Sequence, residues 1–390
     1  MNILIIPSFI YDSYDPTSGS FFLEQAEALQ KAGNVVYMLF SDTYSVKHFK
    51  RWLTYREKNE TVKGIQIYRK KTFCLLKHGS GFYGCYKQFA KDILELYQNF
   101  LSDKQIDVIH AHCCAWSGYA AMKLSEKTGI PYVITEHSAL YALNSHMIKK
   151  KQFDLMKDCF QKAEKLICVS SGLQRLLKPY REDSMVLGNV LDCNLFQPDE
   201  HCAQEVPFTF FTVFYMQTLQ QCYNKGCDLM LNAMVEVVKR HPDVQLLIGG
   251  DGDARKIMEE WISERQLENN VALIGVLSRQ QVVSRMQSCD AFVLPSRYET
   301  FGVSYTEAMA CGKPVIATKN GGPDSFVTPE TGLLIDVEDQ EQLTAAMLYM
   351  VENYQKYDSL KIREHVVCQF SMEAIGEKLT QVYQSVRKTV

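Results

Sequence analysis

Short apolar runs alternate with longer amphipathic segments along the whole chain. Runs at 2–6, 35–40, 65–69, 108–111, 132–135, 166–169 and 185–187 have strand length and are rich in Val, Ile and Leu. Between them, segments 21–30, 86–97 and 118–127 repeat their apolar residues at helical spacing. The grammar then starts again, with strand candidates at 208–215, 244–248, 271–274, 291–294, 315–317 and 333–335 and helix candidates at 228–240, 254–265, 280–287 and 303–311. Apolar strands separated by helices build a parallel sheet covered on both faces. The polar stretch 197–207, with Pro198 and Pro207, marks the boundary between the two series. The expected fold is α/β: two doubly wound parallel-sheet domains, 1–200 and 206–370, facing each other across a cleft, then a helical tail at about 371–390. Ligands of such sheets bind beyond the carboxyl ends of the strands.

Composition narrows the classes. With 390 residues, 46% of them hydrophobic, the chain can bury two large cores, which excludes a disordered tail or a small disulfide scaffold. A net charge of -3 argues against a nucleic-acid partner. That average hides an asymmetry, because residues 1–200 carry +4 and the rest -7. Within 43–91 twelve basic residues face only Glu57 and Glu60, and aromatic residues are interleaved with them. Such a stretch suits anionic lipid headgroups or a lipid-diphosphate acceptor, and equally an ordinary solvated basic face. Thirteen cysteines without a CxxC spacing read as reduced thiols, and no leader or run of about 18 apolar residues is visible. The expected location is cytoplasmic, with peripheral contact on the inner face of the cell membrane through 43–91. His110, His112 and Cys113 crowd together without an evident further ligand, so no metal is expected.

The chemistry concentrates in the second series. No GxGxxG follows the first strand, which argues against a nicotinamide enzyme. Asp251-Gly252-Asp253 resembles a metal-binding pair but follows a strand and precedes a helix, where a turn needs the same residues. The segment 290–318 reads as strand, tight polar loop, short helix and strand. Gly302 allows close backbone approach as the helix begins, and the free N–H groups around Phe301, Gly302, Val303 and Ser304 would hold a diphosphate. Gly312 and Pro314 end the helix. Glu299 and Glu307 frame the turn, each readable as a helix-terminal acid or as an acceptor for sugar hydroxyls.

This E-x7-E pattern, inside YETFGVSYTEAMACGKPVIAT, resembles the retaining glycosyltransferases of the GT4 grouping, which have the two-domain GT-B architecture. The resemblance extends over nearly the whole chain. It implies a glycosyl transfer, with retention, from a nucleotide-diphosphate sugar to a saccharide or lipid-linked acceptor hydroxyl in polysaccharide or glycolipid synthesis, without a cofactor. It implies that Glu299 contacts the donor sugar, Glu307 the ribose, and the backbone at Phe301, Gly302 and Val303 the diphosphate. Asn320-Gly321-Gly322-Pro323 resembles the family's Gly-Gly turn near the donor, and Gly19 its glycine loop after the first strand. The helical tail would cross back to the first domain.

His137, just past a strand, would orient the sugar and stabilise an oxocarbenium-like transition state, while Glu136 reads as its orienter or as a solvated side chain. Lys225 would neutralise the leaving diphosphate. An Arg usually precedes that Lys; here Thr218 stands in its position, with Arg297 or Lys319 as candidate substitutes. Competing readings are a non-catalytic nucleotide-sugar-binding or scaffold protein of a polysaccharide-assembly complex and, within enzymes, a nucleotide-sugar epimerase.

Overall fold

The computed structural model describes residues 1–10, 19–45, 59–74, 81–138, 150–199 and 207–387. They form two compact units, one of Met1–Val190 with Met372–Val390 and one of Leu191–Ser371.

The first unit holds strands β1 (Asn2–Ile6), β2 (Val35–Ser45), β3 (Glu60–Val62), β4 (Ile65–Cys74), β5 (Val108–His112), β6 (Tyr132–Glu136), β7 (Lys165–Cys168) and β8 (Met185–Val186). Their order is β3-β4-β2-β1-β5-β6-β7-β8. All neighbours are parallel except β3 and β4. Ile3 to Ile6 are fully buried, as a central parallel strand requires. β2 and β4 run past the expected ends at 40 and 69 because they pair with each other through Ser45 and Cys74, although their sequences turn polar there. The three residues of β3 are too few to leave a periodic signal.

Helices α1 (Ser20–Lys31), α2 (Gly81–Phe100), α3 (Tyr119–Thr128), α4 (Lys150–Lys162) and α5 (Ser171–Leu177) connect these strands. The C-terminal helix, Met372–Val386, closes on α1. At Gly376 an added Cβ would lie 2.4 Å from the Ala28 carbonyl oxygen, so only glycine permits this approach. Asn34 Nδ2 donates to Thr380 Oγ1 at 2.8 Å across the same contact.

The second unit holds β9 (Thr209–Val213), β10 (Gln245–Gly249), β11 (Val271–Gly275), β12 (Ala291–Leu294), β13 (Val315–Thr318) and β14 (Gly332–Ile335), in the order β11-β10-β9-β12-β13-β14 and all parallel. Its helices are α6 (Leu219–Asn224), α7 (Cys227–Arg240), α8 (Arg255–Glu264), α9 (Arg279–Ser288), α10 (Val303–Ala310), α11 (Gln340–Asn353) and α12 (Ser359–Phe370).

Strand order reverses at β1 in the first unit and at β9 in the second. The loops leaving β1 and β5, and those leaving β9 and β12, therefore diverge and open a crevice at the carboxyl edge of each sheet. Sequence motifs and topology select the same edges.

Candidate active site

In the second unit the site is built around the backbone that leaves β12. Gly226, at φ 70° between α6 and α7, lies so close to this backbone that a Cβ would stand 2.1 Å from the Pro295 carbonyl oxygen. The neighbouring Lys225 thereby reaches Glu299, Nζ to Oε1 2.5 Å, across 74 residues of chain. Ser296 Oγ donates to the same carboxylate oxygen at 2.9 Å. Both charged side chains keep partial access to solvent, 30% for Lys225 and 13% for Glu299.

Gly302 caps α10 from the left-handed region, φ 96°, with no side-chain cap. A Cβ there would press into the Tyr305 ring at 2.5 Å, so this turn also requires glycine. Among the described residues no acceptor is recorded for the N–H groups of Gly302, Val303 and Ser304, and the helix dipole adds positive potential at this end. The Phe301 side chain is buried against Phe326 and Phe370, which leaves its backbone to line the turn. Gly322 packs directly on the turn: a Cβ would come 2.8 Å from the Phe301 oxygen and 3.0 Å from the Glu299 oxygen. Glu307, one turn into α10, accepts from Arg279 Nη1 at 3.1 Å, and the Arg279 guanidinium lies 5.0 Å from the centre of the Phe196 ring.

Two expectations about cations change. Thr218 is the N-cap of α6, a helix the periodicity did not reveal, and forms a capping box with Gln221. The position read as a lost arginine thus has a structural task of its own. Neither suggested substitute is idle. Arg297 makes two 2.9 Å bonds to Asp228 and one of 2.7 Å to Glu338, and Lys319 pairs with Asp336 at 2.8 Å. In the Asp251-Gly252-Asp253 turn, the Asp251 oxygen accepts from Met216 N and Ala254 opens α8, as a strand-to-helix turn does.

The first unit presents a different set. Gly19, φ 70°, caps α1, and a Cβ would stand 2.9 Å from the Phe9 oxygen. His137 follows β6 and its Nε2 lies 3.0 Å from His112 Nδ1 at the end of β5. Phe21 and Phe22 of α1 pack on the His137 ring, with centroids 5.1 and 5.5 Å away. His110, two residues before His112 on β5, bonds Thr135 Oγ1 at 2.8 Å and the Tyr383 hydroxyl at 2.6 Å. Burial lowers the pKa of all three histidines, to about 3 for His110 and His137, so the rings are neutral at pH 7.

Glu136 is not solvated. It is fully buried, and burial raises its pKa to about 7 although its carboxyl accepts from the N–H groups of Cys114 (2.7 Å), His137 (3.0 Å) and Ser138 (2.8 Å). It therefore fixes the backbone that carries His137.

Three of the six cations in the described part of the basic stretch form ion pairs within the first unit. Lys63 pairs with Glu27, Arg69 with Glu60, and Lys70 with Asp92 and Glu95. Its cations at 47–58 and Lys77 lie outside the described residues. Among the described residues, no helix is long and apolar enough to cross a membrane, and no group of three or more potential metal ligands occurs.

Two family models match, one to each half of the chain: Glycosyltransferase Family 4 over residues 18–195 and Glycosyl transferases group 1 over residues 204–364. The chain belongs to the group 1 glycosyl transferases. This glycosyltransferase is 28% identical to the putative teichuronic acid biosynthesis glycosyltransferase TuaC of Bacillus subtilis, over 100% of both chains. It is 33% identical to a GDP-mannose-dependent monoacylated phosphatidylinositol monomannoside mannosyltransferase of Corynebacterium glutamicum over 41% of this chain; that match spans only 44% of the relative's length. Among solved structures, sucrose-phosphate synthase from Thermosynechococcus elongatus superposes with a TM-score of 0.78 at 21% identity, covering 99% of each chain. Anabaena HepE in complex with UDP and glucose gives 0.70 at 18% identity, covering 99% of this chain and 100% of that one. The glycosyltransferase therefore has the GT-B fold and is an enzyme of the hexosyltransferase class, with relatives in glycan and glycolipid synthesis.

Proposed function

We propose that the enzyme transfers a sugar, with retention at the anomeric carbon, from a nucleotide-diphosphate sugar to an acceptor hydroxyl of a saccharide or lipid-linked glycan. The observation that carries this reading is the Gly302 turn, with three N–H groups at a helix N-terminus next to the Lys225–Glu299 pair. A diphosphate satisfies those donors, and Lys225 supplies a counter-charge as the leaving group develops negative charge. Glu299 accepts hydrogen bonds from the sugar and Glu307 from the ribose. Fixed amides and one lysine are a preorganised positive field for the departing phosphate. In the retaining reading this phosphate takes the acceptor proton on the face it leaves, so no carboxylate nucleophile is required. His137 contacts the donor sugar.

The printed names of relatives support the donor class. HepE was solved with UDP-glucose, and the corynebacterial relative is GDP-mannose-dependent. Peripheral contact with an anionic membrane through the 43–91 stretch is the companion reading, and sedimentation with anionic but not neutral vesicles is the expected result.

The deciding experiment is a screen of UDP-, GDP-, ADP- and dTDP-sugars for nucleotide release in the presence of acceptor lysate. Release that requires acceptor and disappears in Glu299→Ala supports transfer. Binding without release assigns the chain to the non-catalytic alternative, and an isomerised sugar without acceptor assigns it to the epimerases.

A further inference from the structure

The surroundings of Glu307 carry an inference about how its carboxylate is presented, which rests on the reading of Glu307 as the acceptor for the ribose hydroxyls. Arg279 donates from Nη1 to Glu307 Oε1 at 3.1 Å; its side chain is 35% exposed and that of Glu307 only 9%. The carboxylate is thus the recessed partner and the guanidinium the accessible one. A carboxylate so withdrawn from water is costly to keep ionised without a cation beside it, and Arg279 is such a cation. One guanidinium bond uses one of about four acceptor positions on a carboxylate, so it does not fill Glu307 for hydroxyl donors.

Arg279 opens α9 directly after the N-cap Ser278, whose capping box with Gln281 fixes the first turn. The macrodipole opposes a cation at that end of a helix, so local helix stability does not account for an arginine here. Its guanidinium rests over the Phe196 ring, which is fully buried. The segment that carries Phe196 is tied to both helices. Arg363 of α12 donates to the carbonyl oxygens of Cys193 (2.8 Å), Phe196 (2.8 Å) and Ala310 (2.6 Å), the last at the end of α10. Gln287, near the end of α9, donates to the Gln197 oxygen at 2.8 Å. The distance from Arg279 to Glu307 is therefore set by a connected framework and not by the ion pair alone.

We propose that Arg279, seated on Phe196, is a positioning residue that holds the Glu307 carboxylate in the orientation that accepts from the ribose hydroxyls of the nucleotide. Without Arg279 the side chain can turn toward water or take up a proton, and a protonated carboxyl has given one acceptor position to its own O–H. The diphosphate is bound on the proposed reading by the amides at Gly302, Val303 and Ser304, which this pair does not touch. The loss should therefore fall on recognition of the ribose.

The test compares, by calorimetry on the full chain, the affinities for UDP and GDP with those for their 2′-deoxy and 3′-deoxy forms. In the wild type the form lacking the hydroxyl that meets Glu307 should bind about tenfold more weakly. In Arg279→Ala this ratio should shrink to about threefold or less, because the ribonucleotide loses affinity and the deoxynucleotide hardly does. Glu307→Ala should shrink it as far, and adding Arg279→Ala to that variant should change it no more. Arg279→Met keeps packing on Phe196 without a donor and should behave as Arg279→Ala, which covers an alanine variant that does not fold. Arg279→Lys, which keeps a charged donor, should bring the ratio back to about fivefold or more. A ratio that stays near that of the wild type in a folded Arg279→Ala or Arg279→Met overturns the proposal. So does an equal loss for both nucleotides, which would make Arg279 a phosphate contact or a structural bridge. A wild type that does not discriminate, or a Glu307→Ala that still does, removes the ribose reading of Glu307 and this proposal with it. A ratio abolished by Glu307→Ala but kept in Arg279→Ala removes this proposal alone.

Discussion

The two units place polar groups at equivalent sheet edges by opposite means. In the second unit the side chains stay charged and partly wet: Lys225 meets Glu299, Arg279 meets Glu307, and glycines at 226, 302 and 322 bring backbone segments within contact of one another. In the first unit the groups are buried and neutralised, with three histidines of lowered pKa and a glutamate raised to about 7. A site for a departing diphosphate needs fixed positive potential, which a lysine and a helix N-terminus supply. On the proposed reading, a group that directs a neutral sugar needs orientation, which close packing supplies better than charge.

Acid should separate the two most strongly. Each of the three histidines binds a proton more tightly when unfolded, so its contribution to stability is lost as pH falls below 6.5, toward about 3 for His110 and His137. Glu136 has the opposite sign: its raised pKa favours the folded state at low pH, and that benefit is lost as pH rises through about 7. Three histidines oppose one glutamate between pH 6.5 and 4.5, so acidification costs the first unit stability. With Trp52 and Trp261 replaced by Phe, the fluorescence of Trp116, which packs on Tyr86 and Phe89, should report unfolding of the first unit. Its urea midpoint should drop steeply from pH 6.5 to 5. A flat midpoint would show that the histidines are protonated in the fold.

Next in size is Glu299→Gln, which keeps the shape but removes the charge partner of Lys225. Turnover should fall about a thousandfold while the melting temperature moves by a few degrees at most, since the pair is partly solvated. A large stability loss with modest kinetic effect would make the pair a structural bridge. Gly302→Ala forces a Cβ into the left-handed turn, and nucleotide diphosphate affinity measured by calorimetry should drop about tenfold or more. Unchanged affinity would take the amides of α10 out of the site.

The smallest effect concerns Thr218. Replacing it with Ala removes the capping box and should cost about 1 kcal/mol of stability with little loss in turnover. Thr218→Arg should lose the same cap; a gain of turnover there would show instead that the missing cation limits the reaction.

The sheets were legible from the chain because central parallel strands are continuously apolar and return at regular intervals. The Gly302 turn was legible because its constraints are local: a glycine that tolerates φ 96°, an acid one turn later, and a strand before it. What escaped is non-local. Arg279 lies 28 residues from Glu307, and nothing in the spacing of 279–288 distinguishes it from a solvated helix start. The short helix at Leu219–Asn224 has one buried residue, Cys222, and so no apolar stripe; only Thr218 with Gln221 three residues later could have betrayed it. For Glu136 the choice between orienter and solvated side chain stayed open in the sequence, because the Cys114 N–H it accepts from lies 22 residues away.

The helix Met372–Val386 has a consequence for synthesis. It completes the first unit, covering α1 at Gly376 and closing on His110 through Tyr383, yet it is translated only after all of Leu191–Ser371. At a ribosomal pace of roughly 5–20 residues per second, the nascent first unit waits on the order of ten to forty seconds with that face uncovered. The later-made unit has its whole sequence in hand first, so the order of completion along the ribosome reverses the order of the chain.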